Sequence, residues 1–283
     1  DVHRSADGGA TWEVVLRAAP WSARRGHAAA VEWASSAVAL LGGLAWHSEG
    51  EVARSDAWVT RDAGSTWVRQ SDTNPWRPRY QHAATFDVAG RLYLSGGLTC
   101  SRQTGPCGSG PGQGLLDHSG SDVWLSLDAG RSWSEVAPAA GQTRWSARHA
   151  FSFLAERSGN GALFVLGGVG PFGVSLQDVW QSTDGGATWR PRALSADFPA
   201  RAFHAAAMSP DDTAMFMLGG RDANGSALND MWVSTDQGHS WSQRAPFPGR
   251  RHSFGAVVDA GGSLVVLGGI PFTSGVMAAA CIT

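Results

Sequence analysis

One pattern is written five times along this chain, and such a chain folds as a series of like units rather than around one mixed core. Each copy opens with an aromatic residue three before an arginine: Trp21/Arg24, Trp76/Arg79, Trp145/Arg148, Phe198/Arg201 and Phe247/Arg250. A short apolar run follows, usually headed by histidine, as at 27–31 and 204–208. A second apolar run ends in a glycine pair, at 42–43, 96–97, 167–168, 219–220 and 268–269. After a variable loop, four copies carry Asp-x-Trp, beginning at Asp56, Asp122, Asp178 and Asp230. Every copy closes on Ser/Thr-x-Asp-x-Gly-x-Ser/Thr-Trp, starting from Ser5, Thr60, Ser126, Ser182 and Ser234.

Each unit reads as four short strands. Runs such as 27–31, 38–41 and 56–60 are too short for helices and are bounded by glycine or polar turns. The Asp-x-Gly segments suit hairpin turns, because Asp accepts local N–H bonds and Gly takes positive φ. Four-stranded units at a spacing of about 50–65 residues are the signature of propeller blades. The expectation is an all-β fold, one β-propeller domain over 1–283, with units at 21–67, 76–133, 145–189, 198–241 and 247–283 plus 1–12. The N-terminal segment reads as the outer half of a blade and 264–269 as an inner half, so five blades would close by pairing N- and C-terminal strands. The alternative is a fragment of a six- or seven-bladed ring.

The Arg…His, Gly-Gly and Asp-x-Trp elements resemble kelch repeats, and the closing element resembles the Asp-box (BNR) hairpins of sialidase-type propellers. The second resemblance places Asp7, Asp62, Asp128, Asp184 and Asp236 in structural turns, away from any catalytic pocket. A sialidase would need a Tyr nucleophile, yet the chain has two tyrosines, Tyr80 and Tyr93, and the Arg-Ile-Pro opening of that family is absent. The Tyr–Cys pair of a galactose-oxidase-type copper centre has no counterpart. These missing residues make the expectation a non-catalytic fold without cofactor.

Composition narrows the partners. Net charge is −2 and all 22 basic residues are arginine, which argues against a nucleic-acid binder and removes lysine chemistry. The uncharged stretch 261–283 is too rich in glycine for a membrane span. Cys100 and Cys107 flank a Gly-rich stretch where a local disulfide would close a short loop; the alternative is free thiols, and Cys281 has no evident mate. With the sequon at Asn224, a disulfide would favour an extracellular or secretory or organellar-lumen location. The chain opens without initiator Met or signal peptide, which reads as a processed product or fragment.

Recognition is expected at the loops where the copies disagree. The loop 44–55 holds Trp46 and His47, and the long loop 98–121 holds Asp117 and His118. Trp46 stands outside the repeated positions and reads either as a contact residue or as packing beneath its loop. Arg24, Arg79, Arg148, Arg201 and Arg250 suggest a basic mouth for a carboxylate or phosphate, or else structural arginines stacked on their aromatics. The histidines stand three, one or two residues after their Arg, an uneven depth that argues against a metal ring. The resulting expectation is a protein-interaction or scaffold propeller within a larger assembly. The alternatives are a glycan-binding propeller using Trp46, Trp76 and the arginines, and a divergent sialidase-like hydrolase with Tyr80.

Overall fold

The structure is a computed structural model that describes all residues except 49, 100–117, 143, 260 and 272–283. Cys100, Cys107, Asp117 and Cys281 lie outside the described residues, and so does the proposed disulfide. Among the described residues there is no α-helix; a single 3-10 turn spans Pro171–Gly173. The fold is an all-β propeller built from antiparallel four-stranded units. The chain forms two compact units by contact: 1–4, 13–138 and 146–149 in the first, 5–12, 139–145 and 150–283 in the second.

The first unit holds two blades. One runs Ala28–Glu32, Ala37–His47, Gly50–Thr60 and Val68–Ser71; the next runs Ala83–Phe86, Leu92–Ser95, Val123–Ser126 and Ser134–Glu135. Their shared core contains Leu41, Val59, Trp76, Phe86, Leu92 and Leu94, with Trp133 packed against it. The second unit holds Ser152–Ala155, Leu163–Val169, Ser175–Ser182 and Arg190–Ala193, then Ala205–Met208, Met215–Asp222, Ala227–Ser234 and Ser242–Arg244. Phe164, Leu166, Val179, Phe198, Met217 and Trp241 fill its core. The pleat alternates side chains between faces, and Leu92–Leu94 and Leu163–Leu166 are buried on both.

The residues of the fifth repeat form three strand pairs, one of them Arg251–His252 with Ile270–Pro271. Gly255–Val258 pairs with Leu264–Leu267, and Val2–Arg4 pairs with Glu13–Leu16. This last pair has the register of an outer half-blade: the shift between Val2 and His3 matches those between Ala57 and Trp58 and between Val179 and Trp180. Its turn, 5–12, lies in the second unit, where a Cβ on Gly9 would stand 3.9 Å from Val265. Among the described residues Leu264–Leu267 ladders only to Gly255–Val258.

The glycine pairs are explained by the residue that heads each inner strand. A Cβ on Gly43 would come within 2.8 Å of the His27 Cβ, one on Gly97 within 2.6 Å of the His82 Cβ, and one on Gly220 within 2.8 Å of the His204 Cβ. The first glycine of a pair faces the next blade instead: a Cβ on Gly42 would meet His82 at 2.9 Å. Both glycines sit at positive φ, so this backbone needs Gly twice over. The residue before each heading position is also left-handed, at Gly26, Gln81, Ala150, Phe203 and Ser253. These residues link successive blades through their backbones, Gln81 N–H to Gly26 O at 2.7 Å, Phe203 to Ala150 at 2.9 Å and Ser253 to Phe203 at 2.9 Å.

That register corrects the fifth repeat. Its arginine is Arg251, two before left-handed Ser253, while Arg250 is exposed. Phe247 keeps its packing role against Phe254. The extra residue is absorbed around Gly249, at φ 77°.

Candidate functional site

The arginines do not form a free basic mouth. Arg24 donates to Asp56 at 2.6 and 2.9 Å, Arg79 to Asp122 at 2.9 and 2.6 Å, and Arg201 to Asp230 at 2.7 and 2.6 Å. The same guanidiniums donate to the first carbonyl of their own glycine pair, at 2.8 Å from Arg24 and Arg79 and 2.9 Å from Arg201. Nε of each, and of Arg148, turns back to the carbonyl two residues earlier. Arg79 lies over Trp76 and Arg201 over Phe198. Each Asp also accepts from its own Trp indole, as from Trp58 at 2.8 Å and Trp124 at 2.7 Å. Burial opposes ionisation of Asp122 and Asp230, but the paired arginine outweighs it and lowers both carboxyls. With their donors spent inside the blade, these arginines have a structural geometry.

The carboxylates of the closing hairpins are committed in the same way. Asp62 accepts from the Thr66 hydroxyl at 2.6 Å and its amide at 2.9 Å, and Thr60 Oγ1 accepts from Gly64 N–H at 3.0 Å. Asp7, Asp128, Asp184 and Asp236 repeat this geometry. The Thr hydroxyl and amide hold Asp7 and Asp62 at about 2. A carboxylate so low is a poor proton carrier at neutral pH.

The histidines occupy a packing position. The place taken by His27, His82 and His204 is taken by Phe151 and Phe254 in the other repeats, whereas His149 and His252 stand directly after their arginines. Burial, reinforced by Arg79 and Arg201, lowers His82 and His204 to about 3, so both are neutral. No group of three potential metal ligands converges among the described residues. Tyr93 is a core residue whose hydroxyl burial pushes up to about 12. Tyr80 is half-buried and ladders to Leu98. Trp76 is 1% exposed, so it cannot meet a glycan.

Surface chemistry gathers elsewhere, on the first unit. Strands Ala37–His47 and Gly50–Thr60 are eleven residues each, against four for the matching Leu92–Ser95 and Val123–Ser126. Near their far end Trp46 lies opposite Glu51 and is 72% exposed. The sequence left its orientation open; the structure points it to solvent. Beside it Arg25 grips Glu51 bidentately, at 2.9 and 2.6 Å, and this bond raises the arginine further. His47 ends the strand opposite Gly50.

The base of the long loop joins the same sheet. Its path runs His118–Ser119, Leu98–Thr99, Arg79–Tyr80, Gly50–Thr60, Ala37–His47 and Arg24–Arg25. The two loops that differ most between copies therefore rise from one continuous sheet. Asn224 is exposed in a turn held by Asp222. The sequence reading missed Phe172, fully exposed at φ 61° in the Pro171–Gly173 turn of the second unit. Its signal was an aromatic between Pro and Gly in a short loop, with no room to fold inward.

No helix among the described residues is long and apolar enough to cross a membrane. No protein-family model matches the chain, and no curated protein sequence does. Among solved structures the chain is similar to one described as the structure of YjhT, with a TM-score of 0.72 and 16% identity over 95% of this chain and 83% of that one. At that identity the likeness concerns the fold alone, and it agrees with a β-propeller.

Proposed function

We propose that this chain is a non-catalytic propeller that docks a protein partner on the sheet bearing Trp46, as a subunit or domain of a larger assembly. The observation that carries this reading is an indole 72% exposed at the end of a projecting hairpin. It stands beside a fixed Arg25–Glu51 pair, on the sheet that also bears the long loop. A large aromatic ringed by polar groups is the usual anatomy of an interface hot spot. The repeated arginines, hairpin aspartates and histidines are internally satisfied or packed, which supports a scaffold built for surface recognition.

The resemblance to kelch repeats and Asp-box hairpins supports the same reading, and the exposed Asn224 sequon supports an extracellular or lumenal setting. Glycan binding is a second reading, favoured by the indole lying next to a paired guanidinium and carboxylate, groups that suit a sugar ring and its hydroxyls. Affinity capture with the chain and its Trp46→Ala variant tests the first reading. A partner retained equally by both would sink it. Saturable binding to one sugar class on a glycan array, lost in Trp46→Ala, would favour the second.

A further inference from the structure

In each unit two successive blades meet at the end that carries the closing hairpins, and the two junctions are finished differently. In the second unit the Gln237 side chain spans the junction. Its Oε1 accepts from Arg192 at 2.7 Å and from Gln181 at 3.3 Å, and its Nε2 donates to Glu156 at 3.1 Å. His239 Nδ1 closes on the Arg192 carbonyl at 3.1 Å. A carboxamide of the chain itself is the occupant there.

The same register puts different residues at the junction of the first unit. Counted from the Ser or Thr that opens each closing hairpin, Ala129 stands in the place of Gln237, Gln70 in that of Arg192 and Val59 in that of Gln181. Arg131 likewise replaces His239, and Arg61 replaces Thr183. Ala129 is too short to span the junction, and a cleft of about 540 Å³ opens between hairpins 60–67 and 126–133, a size usual for small-molecule sites. Arg131 donates through Nε to Gln70 Oε1 at 2.9 Å, which orients its guanidinium in the cleft. The Arg61 side chain is 59% exposed and lies 4.0 Å from Glu32, the counterpart of Glu156. Val68 and Leu127 add exposed aliphatic surface to the same lining. Trp46, Thr99 and His118 lie at the other end of these strands.

We infer that this cleft is a binding site for a small aliphatic monocarboxylate, its carboxyl held by Arg61 and Arg131 and its body laid on Val68 and Leu127. The occupant takes the place that Gln237 has in the second unit. Carboxylate and carboxamide share size and planarity, but two guanidiniums in place of one guanidinium and an amide select the charged form. Asp62 and Asp128, which also line the cleft and are ionised at neutral pH, oppose a dianion such as phosphate.

The test is an NMR titration of the full chain with 4-methylpentanoate, its amide, inorganic phosphate and the end-capped peptide Ala-Leu-Glu-Leu-Ala. Saturable binding of 4-methylpentanoate is expected, at least about tenfold tighter than that of the amide, which lacks the charge-assisted bond. That comparison changes no residue of the protein. Arg131→Gln should weaken binding about tenfold. Ala129→Gln should abolish it: Ala129 at φ 56° and Gln237 at φ 57° share one backbone conformation, so the longer side chain is accommodated and reaches into the cleft. Trp46→Ala should leave binding unchanged, so failure here leaves the reading of the Trp46 sheet standing. Absence of saturable binding, equal affinity for the amide, or full binding in Ala129→Gln would overturn the inference. Tighter binding of phosphate or of the peptide would overturn it too, assigning the cleft to another anion or to a partner's side chain.

Discussion

The Arg79 guanidinium and the Asp122 carboxylate meet fork to fork at 2.9 and 2.6 Å, with Arg79 2% exposed and the Trp124 indole closing on the same carboxylate. Because Arg79 also holds the Gly96 carbonyl, one side chain ties the inner edge of its blade to the third strand. Lysine has neither the planar fork nor enough fixed donors for this. Asp122→Ala is expected to destabilise the protein by about 3–5 kcal/mol, because it strands a buried guanidinium. Urea denaturation measures this, and a loss below about 1 kcal/mol would refute the clasp. Arg251→Met is expected to cost far less, since no carboxylate among the described residues is orphaned.

His82 and His204 are held neutral, with values lowered by burial to about 3. The unfolded chain takes up these protons near pH 6.5, so the stabilising contribution is complete above that pH. It is lost as pH falls from about 6.5 toward 3. Two such groups give a limiting slope of roughly 2.7 kcal/mol per pH unit. Phe already fills this position at Phe151 and Phe254, so His82→Phe with His204→Phe should flatten the loss between pH 6 and 4. An unchanged slope would show that other groups set it.

The glycine pairs differ in how much they tolerate. Gly97 sits at φ 88° with a would-be Cβ 2.6 Å from the His82 Cβ and 2.8 Å from its backbone nitrogen; Gly268 is also left-handed, at 70°, but a Cβ there would meet none of the described residues within 4 Å. Gly268→Ala carries backbone strain alone, about 1–2 kcal/mol. Gly97→Ala adds overpacking of about 1–3 kcal/mol. Thermal unfolding of the two variants side by side checks the order, and equal losses would contradict the packing account.

The repeat made the fold readable because each blade position is set by local chemistry: turn residues, glycine pairs and alternating strands leave the same mark five times. The site was less readable for the same reason. Arg24, Asp56 and Asp62 are repeated because they are structural, and only distances show their donors and acceptors spent. The place of Arg251 was hidden by one inserted residue near Gly249, a register shift that spacing from Phe247 alone does not reveal. Trp46 was singled out by its irregularity, but its direction depends on how far a hairpin of two eleven-residue strands runs. No pattern in the sequence encodes that length.

Phe172 tests whether the exposed aromatics are there for folding or for recognition. Its ring is fully exposed and its backbone is left-handed, at φ 61°, an arrangement that costs about 1–2 kcal/mol without Gly or Asn. The turn around it is closed by backbone bonds alone, Gly170 N–H to Val174 O at 2.9 Å and Gly173 N–H to Gly170 O at 3.3 Å. Replacing the ring therefore removes no internal contact and relieves strain. Phe172→Asn should raise stability by about 0.5–1 kcal/mol, read as a higher thermal midpoint. A lower midpoint would mean that the ring packs in the folded protein. The expected gain would instead mark Phe172 as a residue retained against stability, which is what a contact surface on the second unit requires.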